Sequence, residues 1–329
     1  MPARTLAALL LAAAPAAAQE PTARQTPFHG YERAVELTLG SGRAVVAPEA
    51  GGRVLSFTAG TAEAMWLDPA EKAWKPGQPP PSSAGRFDFG PELTVPAHPK
   101  TWGGDWSAEV TKDNAVRLTS PRDDPAGVQL VREFRLVPRG ALVGLNCKQT
   151  MTNVGKEVRE VCHWGRSFSP GGGICVIPLG DRPSRFPSRY AMYEEGATIN
   201  VRNTDPNIRE RDGFLEILAP PRKPKLGFDT YAGWLAYLMP NNVAFVKRFP
   251  TFPDRVYNEA AGLTLSVWYP TGPRIELEPI GPRERLRPGE SASFTEGWWV
   301  IPFPYPQAGE RADLRALADR VARLTAAPE

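Results

Sequence analysis

The chain is poor in the residues on which thiol and soft-metal chemistry depends: its 329 residues include 3 Cys and 3 His. Cys147, Cys162 and Cys175 lack metal-ligand spacing, and with so few His the chain is poor in soft ligands, so no metal site is expected. An excess of charge of one sign is also missing. Lys and Arg number 39 against 36 Asp and Glu, a formal net charge of +3. Basic residues alternate with acids, as in Pro282-Arg283-Glu284-Arg285, and no basic stripe carries interleaved aromatics, so nucleic acid is not an expected partner. No segment approaches the ~20 consecutive apolar residues of a membrane-spanning helix, so no membrane span is expected.

Proline, by contrast, is plentiful, with 36 residues spread along the chain. Proline breaks helix interiors and is confined to edges and turns in sheets, so the elements should be short and joined by stiff loops. A hydrophobic fraction of 42%, with 9 Trp, 14 Phe and 8 Tyr, supplies a large core. The first residues have the layout of a signal peptide: Arg4, the apolar stretch Leu6 to Ala13, then Ala16-Ala17-Ala18 as an A-x-A cleavage site. This predicts a mature chain beginning near Gln19 in a periplasmic or extracellular setting.

From residue 34 onward the hydrophobic pattern has period two. It is clear in Ala34 to Leu39, Val128 to Leu136, Leu263 to Trp268 and Arg274 to Glu278, with Gly, Pro, Asn and Asp clusters between. Such runs predict an all-β protein of antiparallel sheets in a sandwich. Leu314, Leu317, Val321 and Leu324, at spacings of 3, 4 and 3, predict a C-terminal helix. The chain then divides into a signal peptide over 1–18, a flexible segment over 19–33, a sandwich over 34–306, and a helix and tail over 307–329. Asn153-Val154-Gly155-Lys156 has the composition of a hairpin turn, which would set Cys147 opposite Cys162. Those two thiols are then either small buried hydrophobes or a cross-strand disulfide.

Gly171-Gly172-Gly173 opens no helix and fits no phosphate-binding loop, and no G-x-S-x-G elbow is present. Two strands hold residues suited to acid–base work. If the Cys147/Cys162 face points into the sandwich, His163 points to the outer face of its sheet. In the late strand Ile275 and Leu277 read as core, with Glu276 and Glu278 on the opposite face. An imidazole and carboxylates on one concave face could act as acid and base on a polar ligand. The alternative is a hydrogen-bonded structural histidine and a solvated pair of glutamates.

Gln149-Thr150-Met151-Thr152-Asn153-Val154-Gly155, followed by Val161-Cys162-His163-Trp164-Gly165-Arg166-Ser167-Phe168, resembles a hairpin of the galactose-mutarotase (aldose 1-epimerase) superfamily. Leu277-Glu278-Pro279 with Leu286-Arg287-Pro288-Gly289-Glu290 is similar to its catalytic-glutamate strand and the turn after it. Gly51 to Phe57, Met65-Trp66, Gly233 to Tyr237 and Phe245 to Phe249 extend the likeness over about Val45 to Val300. The resemblance implies a large antiparallel β-supersandwich with a sugar site on its concave face, needing no metal or cofactor. It also implies that Glu278 takes the proton of an anomeric hydroxyl while His163 protonates the ring oxygen. Asp229 matches the family's sugar-binding aspartate loosely, and His98 stands about where a second histidine falls. Cys162 replaces the usual Asn before the histidine and Trp164 the Tyr after it. Such departures suit a sugar binder without turnover, or an epimerase acting on another saccharide.

Other residues are candidate ligand contacts or, equally, loop anchors and solvated surface. Trp102, Asp105 and Trp106 lie in a Gly-containing loop, where indole faces suit the apolar side of a pyranose. Arg86, Glu92, Lys225 and Lys247 place charge at strand ends, and a cationic cluster suits an acidic sugar such as a uronate. The expected ligand is therefore a saccharide. The function classes left open are an isomerase, a non-catalytic carbohydrate-binding protein and an accessory domain of polysaccharide breakdown.

Overall fold

The computed structural model describes residues 20–195 and 198–324. The expected signal peptide lies outside the described residues. Among those described, the strands form a 13-stranded and a 10-stranded sheet, and neighbouring strands pair antiparallel throughout. The two sheets pack face to face over one large apolar core, to which both contribute, for instance Phe57, Phe87, Leu277, Phe134, Tyr237 and Trp298. The centre of the larger sheet runs Arg53–Ala59, Gly85–Gly90, Arg159–Pro170, Arg274–Pro279, Leu265–Trp268 and Lys225–Phe228. The smaller sheet is centred on Trp234–Met239, Val243–Arg248, Ser291–Pro302, Leu142–Asn153 and Val128–Arg139.

Thr22–Gln25, within the stretch expected to be flexible, is a strand instead. It pairs with Val35–Leu39 at the sheet's edge, fixed in part by Arg24 on Glu36. The C-terminal helix Leu314–Arg323 starts where Asp313 caps the backbone N–H of Ala316 at 3.0 Å. Its face of Leu314, Leu317 and Val321, continued by Leu324, covers Val176, Val246, Trp299 and Ile301 on the outer side of the smaller sheet.

The expected hairpin at Asn153 is not one. Leu142–Asn153 belongs to the smaller sheet and Arg159–Pro170 to the larger, so the turn is a corner between sheets. Asn153 makes that corner by donating to the carbonyls of Glu157 and Leu286 (2.7 and 2.8 Å) and accepting from the N–H of Gly155. The Cys147–Cys162 pairing drawn across it therefore fails. Cys147 packs in the inter-sheet core and Cys162 on the other side of the larger sheet, and all three cysteines are free and buried.

Candidate functional site

Strand alternation sorts the larger sheet into two faces. Arg159–Pro170 and Gly85–Gly90 pair with Arg166 opposite Arg86 and Trp164 opposite Asp88, so these four side chains share the face turned away from the second sheet. Ser167 lies opposite Leu277 on the inner face, which leaves Glu276 and Glu278 outward with Arg166. The next strands add Lys225, opposite Trp268, which in turn lies opposite Glu276. With Arg274 on the same parity as Glu276 and over the Trp268 ring, five strands thus present three arginines, one lysine, three carboxylates and two indoles on one surface.

Glu278 is at its centre and is 0% exposed. Its carboxylate accepts the indole N–H of Trp164 at 2.8 Å and the ammonium of Lys225 at 2.8 and 2.6 Å. Burial and the neighbouring Glu276 raise its pKa, against the opposing charges of Lys225 and Arg166. Arg166 donates to Glu276 at 2.9 Å and lies 3.7 Å from both Asp88 and Glu92. Asp88 accepts from His98 at 2.8 Å. Burial disfavours the charged form of either partner, but the pairing overrides it: Asp88 falls below its ordinary value and His98 rises above its own. The ring of Trp102, on the short helix Pro99–Gly103, covers the guanidinium groups of Arg86 and Arg166, which lie 4.4 and 5.3 Å from its centroid.

Two further groups complete this face. Glu259 accepts the backbone N–H of Glu92 at 2.8 Å, and burial beside Glu92 pushes its pKa up to about 7. Burial raises the pKa of the Tyr193 hydroxyl, and the negative charges of Glu259, Glu278 and Glu92 raise it further. Alternation offered a signal for Asp88 and Arg166, each two residues from a named candidate on the same strand. Glu259 stands in an irregular loop where the sequence carries no such signal.

The expected acid is elsewhere. His163 lies on the inner face of its strand, 1% exposed and stacked on Phe294 of the opposite sheet, ring centroids 5.6 Å apart. Among the described residues neither ring nitrogen has a partner, and burial pushes its pKa down to about 3. A neutral imidazole sealed between sheets cannot share a sugar ring with Glu278, so the Glu278–His163 pair is corrected. The reason is the corner at Asn153, which puts Cys162, not His163, on the outer face.

Lys247 is also internal. Its ammonium meets Glu296 at 2.9 Å, Ser167 Oγ at 3.1 Å and the Leu277 carbonyl at 3.0 Å. Glu296 lies so close to the opposite strand that a Cβ on Gly165 would come within 1.7 Å of it. Asp105 pairs with Arg33 at an exposed loop. Asp229 is occupied by Ser184 Oγ and the Arg185 backbone N–H at 2.6 and 2.7 Å, anchoring the loop after residue 180. Trp106 is buried over Arg132. The structure therefore brings together Arg86, Glu92, His98, Trp102, Trp164, Lys225, Glu276 and Glu278, and leaves out His163, Asp105, Asp229 and Lys247.

A groove of about 970 Å³ lies on the outer side of the smaller sheet, lined by Arg117, Glu133, Arg135, Lys148, Arg248 and Trp299 among others. Arg135 is paired with Asp113 there and Lys148 with Glu133. Its volume would hold a ligand, yet among the described residues it has no counterpart of the buried carboxylates around Glu278.

No family model and no curated protein sequence matches the chain. Solved structures do. A galactose mutarotase-like protein from Lactobacillus casei superposes with a TM-score of 0.56 at 13% identity, covering 81% of this chain and 99% of that one. One from Clostridium acetobutylicum gives 0.55 at 10% identity, covering 86% and 99%. A galactose mutarotase related enzyme from Lactobacillus acidophilus gives 0.56 at 10% identity, covering 83% and 99%.

Proposed function

The chain has the galactose-mutarotase-like fold, and we propose that it binds a saccharide on the outer face of its larger sheet. The observation that supports this most is the convergence on Glu278. A buried carboxylate is fixed by an indole and an ammonium, with a second indole and further hydrogen-bonding groups around it, as a polyhydroxylated ligand requires. Binding, rather than turnover by a Glu–His pair, is the reading we adopt, because His163 faces the core. Likeness of fold supports the ligand class only by analogy.

Anomer interconversion is the second reading, favoured by the burial of Glu278 between Trp164 and Lys225; that burial raises its pKa, in the direction that suits a base working near neutral pH. The proton donor would be a group other than His163, and His98 and Glu259 are the titratable candidates on this face. A saccharide panel read by thermal shift tests binding, since a ligand of the native state alone raises its apparent stability. NMR of a freshly dissolved anomer tests turnover. No thermal shift with any mono- or oligosaccharide would overturn the binding reading.

We further propose export through the leader at residues 1–18. No described helix is long and apolar enough to cross a membrane. Intact mass of protein recovered from the cell envelope should begin near Gln19, and retained Met1 would refute export.

A further inference from the structure

Among the described residues Arg86 is the fully buried arginine of this face that makes no ion pair and keeps idle donors. Its side chain is 1% exposed. Nη2 donates to the carbonyl of Pro81 at 2.5 Å, while Nε and Nη1 have no acceptor among the described residues. Its cross-strand partner is Arg166, a like charge directly opposite, which by itself destabilises a pair of strands. Arg166 is compensated by Glu276, Asp88 and Glu92, and Lys225 by Glu278. The nearby Arg53 is held by Glu71 at 2.8 Å. Only the face of Trp102 lies over Arg86, and a cation–π contact does not replace two hydrogen bonds.

A buried guanidinium with idle donors costs stability and is retained in a fold when something else uses it. We propose that Arg86 receives the carboxylate of an acidic saccharide, an inference that rests on the saccharide reading of this face and narrows it to uronate-like ligands. The anion would meet Arg86 and Arg166 together, from the side where the half-buried Trp102 now covers both. The site already holds Glu276, Glu278, Asp88, Glu92 and Glu259, so a single negative charge fits it better than the double charge of a phosphate. The five carboxylates also explain why the preference should be for a carboxylate carried by a sugar, with hydroxyls to engage them, over a bare anion.

The test compares glucuronate, glucose, glucose 6-phosphate and acetate by thermal shift and calorimetry at pH 7 and low salt, on wild type, Arg86→Met and Arg86→Lys. Glucuronate is expected to bind wild type at least about tenfold tighter than glucose, the size of one charge-assisted hydrogen bond. Arg86→Met should erase that preference while raising the melting temperature of the unliganded protein, because it removes a buried charge and keeps the carbon stem. Arg86→Lys should keep part of the preference and none of the added stability. Glucose binding equal to glucuronate, or a preference that survives Arg86→Met, overturns the inference and leaves the saccharide reading standing. A stronger response to glucose 6-phosphate than to glucuronate also overturns it, in favour of a phosphate site. If no sugar binds, the saccharide reading itself has failed. Acetate then decides: a shift in wild type that is absent from Arg86→Met keeps Arg86 as a carboxylate receptor, and no shift removes it. Should Arg86→Met not fold, the buried charge is structural and the inference fails with it.

Discussion

Trp164 donates its indole N–H to Glu278 across two adjacent strands of the larger sheet, at 2.8 Å, and holds the carboxylate where Lys225 also reaches it. The contact joins the residue that replaces the expected Tyr to the residue expected to act as base. It fixes the rotamer of a side chain with no solvent to orient it.

Glu278→Gln keeps the shape and the acceptor for Trp164 but removes the negative charge. Lys225 is partly exposed and can turn to water, so the loss in stability should stay near the lower end of what breaking a buried pair costs, about 3 kcal/mol. Saccharide binding should persist. Any anomer interconversion seen by NMR with wild type should disappear. Unchanged turnover in this variant would show that Glu278 is not the base.

His163→Phe separates the core reading of that histidine from a site reading. Its folded pKa lies near 3 and its ordinary value at 6.5. A group depressed in this way contributes stability that is present above pH 6.5 and is lost as pH falls towards 3, because the unfolded chain takes up the proton first. By pH 4 the loss is about 3 kcal/mol. The Phe variant, still stacked on Phe294, should resist acid better than wild type and bind saccharide equally well. Denaturant midpoints between pH 4 and pH 7, measured on both proteins, check the first point. A variant that loses binding without losing stability would put His163 back in the site.

How far the sequence reached can be judged on particular strands. Arg274–Pro279 alternates cleanly, and the inward Ile275 and Leu277 and outward Glu276 and Glu278 were legible from it. The helix Leu314–Arg323 was legible for the same reason, with period 3.6 in place of two. Arg159–Pro170 was not, because its outer face is itself covered: Cys162 and Trp164 pack under Phe186, Leu263 and Ile280. With both faces buried, hydrophobicity no longer distinguishes inside from outside. The parity was then set by the Asn153 turn, whose residues suit a hairpin and a corner between sheets equally well. Lys247 misled through chemistry of another kind. A charged residue in a strand reads as surface, and nothing local announces a partner 49 residues on at Glu296.

That internal pair gives a further prediction. Lys247→Met alone leaves Glu296 as an uncompensated buried charge, and should cost about 3–5 kcal/mol. Glu296→Gln alone strands the ammonium at similar cost. The Gln still accepts from Trp298, whose indole N–H now bonds Glu296 at 2.8 Å. The double variant should therefore recover most of the loss, with a coupling energy well above 1 kcal/mol in a double-mutant cycle. Additive losses would mean that Lys247 and Glu296 act separately.

Glu259 predicts a pH dependence of the opposite sign to that of His163. Its pKa is raised from 4.5 to about 7, chiefly by burial, with Glu92 adding repulsion that the Glu92 N–H, Lys225 and Arg166 partly offset. A carboxyl raised in the folded state gives stability that is complete below pH 4.5 and is lost as pH climbs through 7, because the unfolded chain releases its proton first. Glu259→Gln stays neutral throughout and can still accept the N–H of Glu92. The variant should match wild type at pH 4 to 4.5 and melt higher than wild type at pH 8, with the gap opening between those values. Melting curves across that range decide the matter. A constant gap would mean that Glu259 titrates as an ordinary surface carboxylate, and it would then drop out as a proton donor for any chemistry at Glu278.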